Sequence, residues 1–243
     1  MRYITEEMLE FLAGIRSHNE KEWFENHKEI YLKAVYEPLK AMSEELYQPY
    51  QEYQMMQKTA RIYRDVNFPP YLHYRDTFWI YIRHEAVYWN QTPTLFFEIS
   101  PEGAKFGFRI ASPEPRFMEF FRNRIAGAPE EFLNLISELE KKQIPLTGEE
   151  YKRPKPCENQ KLLPYFKKKS LVAERSITDR KLLCSDALTS EVQKTLADVF
   201  DFYQYCYELM QNYEASRQKP EQKKQDTQPE IFMRKAPEQE FMW

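Results

Sequence analysis

Between Trp23 and Leu46 the residues Trp23, His27, Tyr31, Val35, Leu39, Met42 and Leu46 recur at steps of three and four, and from Thr59 onward the step becomes two. The first spacing puts side chains on one stripe of a helix, and the second puts alternate side chains on one face of a strand. A chain carrying both periods in separate blocks has to bury a helical layer against a sheet, which makes it α+β rather than all-helical or all-strand.

The sheet block supplies four candidate strands, at residues 60–66, 78–84, 94–100 and 104–110. The last two form the clearest unit. Leu95, Phe97 and Ile99 alternate with Phe96 and Glu98, Ser100-Pro101-Glu102-Gly103 turns the chain, and Phe106, Phe108 and Ile110 alternate with Lys105, Gly107 and Arg109. This parity predicts an antiparallel hairpin with one apolar face, leaving Glu98, Lys105 and Arg109 together on the other, as a cross-strand charge pair or as ligand contacts.

Around this block the helical signals are local. Thr5 is a good N-cap for a helix that buries Met8, Leu12 and Ile15, and Ser17-His18-Asn19-Glu20 reads as a capping box for the next one. Pro38 must kink that second helix or restart it. Residues 113–125 and 129–142 read as helices, 161–166 as a short helix in a proline-rich connection, and 170–177 as a fifth strand. A last helix is expected from the capping box at Ser190 to about Tyr213. Residues 1–213 then make a single α+β domain with an antiparallel sheet of about five strands and helices mainly on one side. Residues 214–243 are expected to be a polar, flexible tail with an apolar tip at Ile231-Phe232-Met233 and Phe241-Met242-Trp243, available to dock on the domain or on a partner.

Composition removes several function classes. Three well-separated cysteines, Cys157, Cys184 and Cys206, form no C-x-x-C pair, so neither a disulfide framework nor a zinc ribbon is expected, and a reducing compartment fits. The N-terminus turns acidic at once and no run approaches a membrane span, which predicts a soluble cytoplasmic protein with no membrane partner. The 35 basic and 38 acidic residues nearly balance, so nucleic-acid binding would need a local patch. With only five glycines and no G-x-G-x-x-G or Walker-type segment, no nucleotide cofactor loop is expected. His18, His27, His73 and His84 show no ligand spacing, so no metal is expected, and no Ser or Cys sits in a nucleophile elbow. The 17 Tyr and 17 Phe suit an aromatic-heavy core.

Several of these segments together are recognisable. Asn19-Glu20-Lys21-Glu22-Trp23-Phe24-Glu25-Asn26-His27-Lys28, with Tyr31 and Pro38-Leu39, and then Arg61-Ile62-Tyr63-Arg64-Asp65-Val66, resemble the bacterial and fungal family called domain of unknown function 2461. Its members carry an Asn-x-x-x-Trp-Phe helix followed by an Arg-x-x-Arg-Asp strand. Tyr74-Arg75-Asp76-Thr77, the hairpin with Gly107, Arg122-Asn123-Arg124-Ile125 and Arg153-Pro154-Lys155 extend the resemblance over about residues 5–210. The chain departs from the family at His73-Tyr74-Arg75, where Pro-Tyr-Lys is usual, and at Pro154-Lys155-Pro156-Cys157. The resemblance implies helices mixed with an antiparallel sheet, and no activity.

The sharpest chemistry lies in Arg61, Arg64 and Asp65 followed by Tyr74 and Arg75. On a strand Arg64 falls on the side of Ile62 and Val66, so its guanidinium is either paired in a partly buried position or aimed into a cleft. The functional form of this cluster is a site for a small phosphate- or carboxylate-bearing ligand, with Arg61, Arg64 and Arg75 as anion contacts, Tyr74 as a donor, and Asp65, Glu98, Arg109 and Arg153 as further candidates. The structural form is a set of ion pairs, such as Arg64 with Glu98 or Asp65. A hydrolase pairing Asp65 with Glu98 has no supporting spacing. Nucleic acid is a weaker alternative through Lys152, Arg153, Lys155 and Lys167-Lys168-Lys169 with Tyr151, Tyr165 and Phe166. A protein-interaction role would use the tail or the Trp79-Tyr81-Arg83 strand face. The sequence names no reaction, and enzyme activity and oligomeric state stay open.

Overall fold

The computed structural model describes residues 2–225 apart from 87, 89 and 154, with side chains to Arg217. The expected apolar tip of the tail lies outside the described residues. Helices α1 (Glu6–Ser17) and α2 (Lys21–Ile30) lead through a π-helical turn (Tyr31–Tyr36) into α3 (Glu37–Tyr47). Pro38 sits in the first turn of α3, so the wide turn just before it is where the helix accommodates a residue with no N–H to donate. The stripe of Tyr31, Val35, Leu39, Met42 and Leu46 stays buried across the whole run.

The sheet has six antiparallel strands: β1 (Met56–Thr59), β2 (Phe78–Arg83), β3 (Thr94–Ser100), β4 (Gly103–Ile110), β5 (Leu146–Thr147) and β6 (Leu171–Ile177). Their order across the sheet is β1-β2-β3-β4-β6-β5. Helices α4 (Pro115–Gly127) and α5 (Pro129–Lys141) follow the β3–β4 hairpin, the one-turn α6 (Leu163–Phe166) precedes β6, and α7 (Arg180–Leu183), α8 (Ala187–Asp198) and α9 (Phe200–Gln225) close the chain. Among the described residues no helix is long and apolar enough to cross a membrane.

One face of the sheet carries Phe78, Ile80, Ile82, Leu95, Phe97, Ile99, Phe106 and Phe108 into a single core shared with the helices. Burying each such side chain contributes about 1.5–3 kcal/mol. Alternate residues Trp79, Tyr81, Phe96, Glu98, Lys105 and Arg109 face the other way. Phe96 is buried there, outside the common core, because it lies against Gly107 on the neighbouring strand and under the Arg109 guanidinium, 4.2 Å from the ring centroid. Gly107 has φ +148°, and a Cβ there would stand 2.2 Å from the Ala173 carbonyl oxygen, so no other residue fits the register.

Four expectations are corrected. Residues 60–66 are not a sheet strand: the edge is taken by β1, and beyond the Ala60 N bond to the Trp79 carbonyl this segment pairs with the following one through a Tyr63–Tyr74 bridge. The capping box at Ser17 does not form: Ser17 Oγ donates back to the Ala13 carbonyl, and the N-cap of α2 is Glu20 itself, with no side-chain capping hydrogen bond. The box at Ser190 lies inside α8, which starts upstream because Leu188 and Thr189 are already buried. Finally, the last helix is two, and α9 runs past Tyr213 to Gln225. Glu, Gln, Lys and Arg are good helix formers, and Glu114 accepts from Tyr213 Oη (2.6 Å) and Arg217 (3.0 Å) to tie the helix to the start of α4.

Candidate functional site

Residues 60–76 fold as an arm beside β2. Ala60 N donates to the Trp79 carbonyl, Arg64 N to His73 and Arg75 N to Ile62, at 2.8–2.9 Å. Extended pairing sends alternate side chains to opposite sides. Ile62 and Tyr74 turn inward and are buried, Tyr74 stacked on Phe24 with ring centroids 4.5 Å apart. Arg61, Tyr63 and Arg75 turn outward, over the sheet face that carries Trp79 and Tyr81.

The inward side is held by a two-ended clasp. Asn19 Oδ1 accepts from Tyr74 N at 2.9 Å and its Nδ2 donates to Tyr74 O at 3.0 Å, so one side chain does for Tyr74 what a neighbouring strand would do. Arg64 lies on this side, as its strand parity requires. Its Nε donates to Tyr74 O at 3.1 Å and its Nη2 meets Asp76 at 3.1 Å. Asp76 also takes Arg16 Nε at 2.6 Å, and Arg16 in turn bonds Glu102. Burial pushes the Asp76 carboxyl up, but the Arg16 hydrogen bond and the Arg16 and Arg64 charges outweigh it and hold it below its ordinary value. The Arg16 hydrogen bond likewise holds Glu102 down to about 2.

The outward side forms a groove of about 370 Å³ between the arm and the sheet. Its cations are Lys58, Arg61, Arg75 and Arg83, and its aromatic wall is Tyr63, Trp79 and Tyr81, with Thr59 completing it. Among the described residues no carboxylate lines it. Trp79 and Tyr81 are two apart on β2 and stack in parallel, with centroids 4.0 Å and planes 12° apart. Arg75 is half-buried, and its guanidinium is pulled below its ordinary value first by burial and then by the Arg64 charge. Arg83 is buried and shifted the same way, again mainly by desolvation. Both stay protonated at neutral pH, since arginine starts far above it. Among the described residues no carboxylate lies within ion-pair distance of Arg61 or Arg75.

Of the residues expected from sequence, Arg61 and Arg75 meet in this groove and Arg64 does not. Asp65 is exposed and caps Asn67 through its backbone and side-chain nitrogens. Tyr74 gives its ring to the core. Glu98 and Arg109 form a pair at 3.3 Å, and Arg109 also donates to Tyr81 Oη, so the two stand behind the aromatic wall rather than in the groove. Arg153 is exposed on the connection after β5, away from the groove lining. Lys58 and Tyr63 were not singled out, because exposed residues on a short edge strand and an arm carry no periodic signal. Among the described residues no group of three or more His, Cys, Asp or Glu side chains is placed to hold a metal ion. Cys206 is fully buried and its thiol is pushed up by desolvation.

No curated protein and no solved structure matches the chain. A family model does, over residues 7–205, and that span takes in the Asn19 clasp, the arm, the groove and the whole sheet. The chain therefore belongs to the family described as "Conserved hypothetical protein (DUF2461)".

Proposed function

We propose that this protein binds a small phosphate- or carboxylate-bearing ligand in the groove beside Arg75. The observation that carries this reading is that Lys58, Arg61 and Arg75 meet around one groove with no acid among the described residues of its lining. A half-buried guanidinium without a carboxylate is costly to keep, and an oxyanion offsets that cost with charge-assisted hydrogen bonds. Arg61 and Arg75 supply planar forks, Lys58 a point charge at the rim, and Trp79 and Tyr81 an apolar wall for the rest of the ligand. The Glu98–Arg109 pair braces that wall through Tyr81.

The test is a thermal-denaturation panel of phosphates, nucleotides and carboxylates on the full chain and on Arg75→Ala. A ligand at about 100 times its dissociation constant stabilises the folded state by about 2.7 kcal/mol. A saturable rise in melting temperature for the wild type, reduced in Arg75→Ala, is expected. If no anion raises it, or Arg75→Ala responds like the wild type, the reading fails.

A nucleic-acid role for residues 151–169 draws less support. Lys168 is paired with Glu150 at 2.8 Å and Lys169 with Glu149 at 2.9 Å, which leaves fewer cations for phosphates.

A further inference from the structure

A second cavity, of about 370 Å³, lies between α4 and the connection that precedes β6. It is lined by Arg116, Glu119, Arg122 and Asn123 from the helix and by Tyr151 and Lys155 from the connection, over Phe166. Two stretches that carry the family resemblance, 122–125 and 153–155, thus contribute to one hollow, and the groove described above uses neither.

Arg122 sets this hollow apart. It is only 7% exposed, and its Nη1 is out of reach of solvent with no hydrogen-bond partner. Its neighbour is the face of Tyr151, 5.6 Å from the guanidinium carbon, and Lys155 Nζ stands 5.1 Å from the same ring. A cation over a ring satisfies charge but gives the Nη1 protons no acceptor. Most buried polar groups in proteins are hydrogen-bonded, so an arginine in this position lacks an acceptor. The nearest acid in the lining, Glu119, is exposed and lies outside ion-pair distance of Arg122, and among the described residues Arg116 and Lys155 have no ion pair either. Three cations against one carboxylate leave two positive charges, which matches the charge of a phosphate monoester dianion.

We infer that this cavity is a second, separate binding site, for the phosphoryl group of a small molecule, with Arg122 as its buried fork, Lys155 and Arg116 as the cations at its mouth, and Asn123 as a neutral donor. Tyr151, which has both the Arg122 and Lys155 cations over its ring, ties the connection to the helix when the anion is bound.

The side-chain Nε–Hε resonances of arginine distinguish the two sites in one titration of the full chain with inorganic phosphate. Arg122 reports this cavity and Arg75 the groove. A saturable shift of the Arg122 signal is expected, weakened about tenfold or more in Lys155→Ala and in Arg116→Ala, both exposed positions whose loss leaves the fold intact. Arg75 should respond independently of those substitutions. No Arg122 shift, or a linear one reproduced by sodium chloride at equal ionic strength, overturns the second site whatever Arg75 does. An Arg122 response unchanged in both variants overturns it equally. Because the variants spare Arg122, the result does not depend on whether a buried-arginine substitution folds.

Discussion

Arg64 and Arg75 belong to the same arm and face opposite ways. Arg64 looks inward, finds Asp76 and a carbonyl, and becomes part of the frame. Arg75 looks outward over the aromatic wall and meets other cations. The same side chain is therefore structural on one face and available on the other, and what decides between them is which face the acids occupy.

The contrast breaks most sharply at Asp76. Asp76→Asn removes the carboxylate shared by Arg16 and Arg64, and is expected to cost about 3 kcal/mol in urea denaturation, since it leaves the partly buried Arg64 without its counter-charge while the exposed Arg16 keeps Glu102. Asn19→Ala comes next, at about 2 kcal/mol, because it leaves Tyr74 N without its partner and Tyr74 O with Arg64 Nε alone. Arg75→Ala sharpens the comparison in the other direction. Stability should change by less than about 0.5 kcal/mol, while calorimetric affinity for the anion found in the thermal panel falls about tenfold or more. Lys58→Ala should weaken the same binding only about twofold to threefold, with a shallower dependence on salt.

Acid titration reads the inward face directly. The Asp76 carboxyl in the folded protein lies below its ordinary 3.8, so its contribution to stability is complete above that value and is lost as pH falls through the lower, folded one. The stability gap between wild type and Asp76→Asn should therefore hold from neutrality to about pH 4 and close below it. His84 works in a higher window. Burial lowers it in its stack on Tyr207, where centroids are 3.6 Å apart, so its share of stability is present above 6.5 and fades as pH drops below that. Replacing His84 with Gln should flatten the stability profile in that range, measured by urea midpoint against pH.

The sheet and its hairpin were legible because alternation survives burial. Leu95 to Ile99 and Phe106 to Ile110 face the core as their parity requires. Arg64's inward direction was legible for the same reason, but its partner was not: Asp76 lies beyond a loop whose path no local rule supplies. The Asn19 clasp was not legible, because its amide finds the Tyr74 backbone only through the tertiary approach of a segment 55 residues away. Arg61 and Arg75 could be named as candidates, yet their meeting with Trp79 and Tyr81 depends on an arm folding over the sheet. Arg122 entered only through the family resemblance and its burial gave no local signal, since a helical arginine is normally exposed and here lies against the distant Tyr151 segment.

Every residue lining the groove comes from one uninterrupted stretch, Lys58 to Arg83, whereas the second cavity has to be closed by segments on either side of α5 and β5. A hollow made by neighbours along the chain needs little loop closure, so its walls can assemble as soon as β1 and β2 pair. It also means that the ligand preference of the groove can be reshaped by exchanging a single short segment between relatives, with the rest of the molecule left as it is.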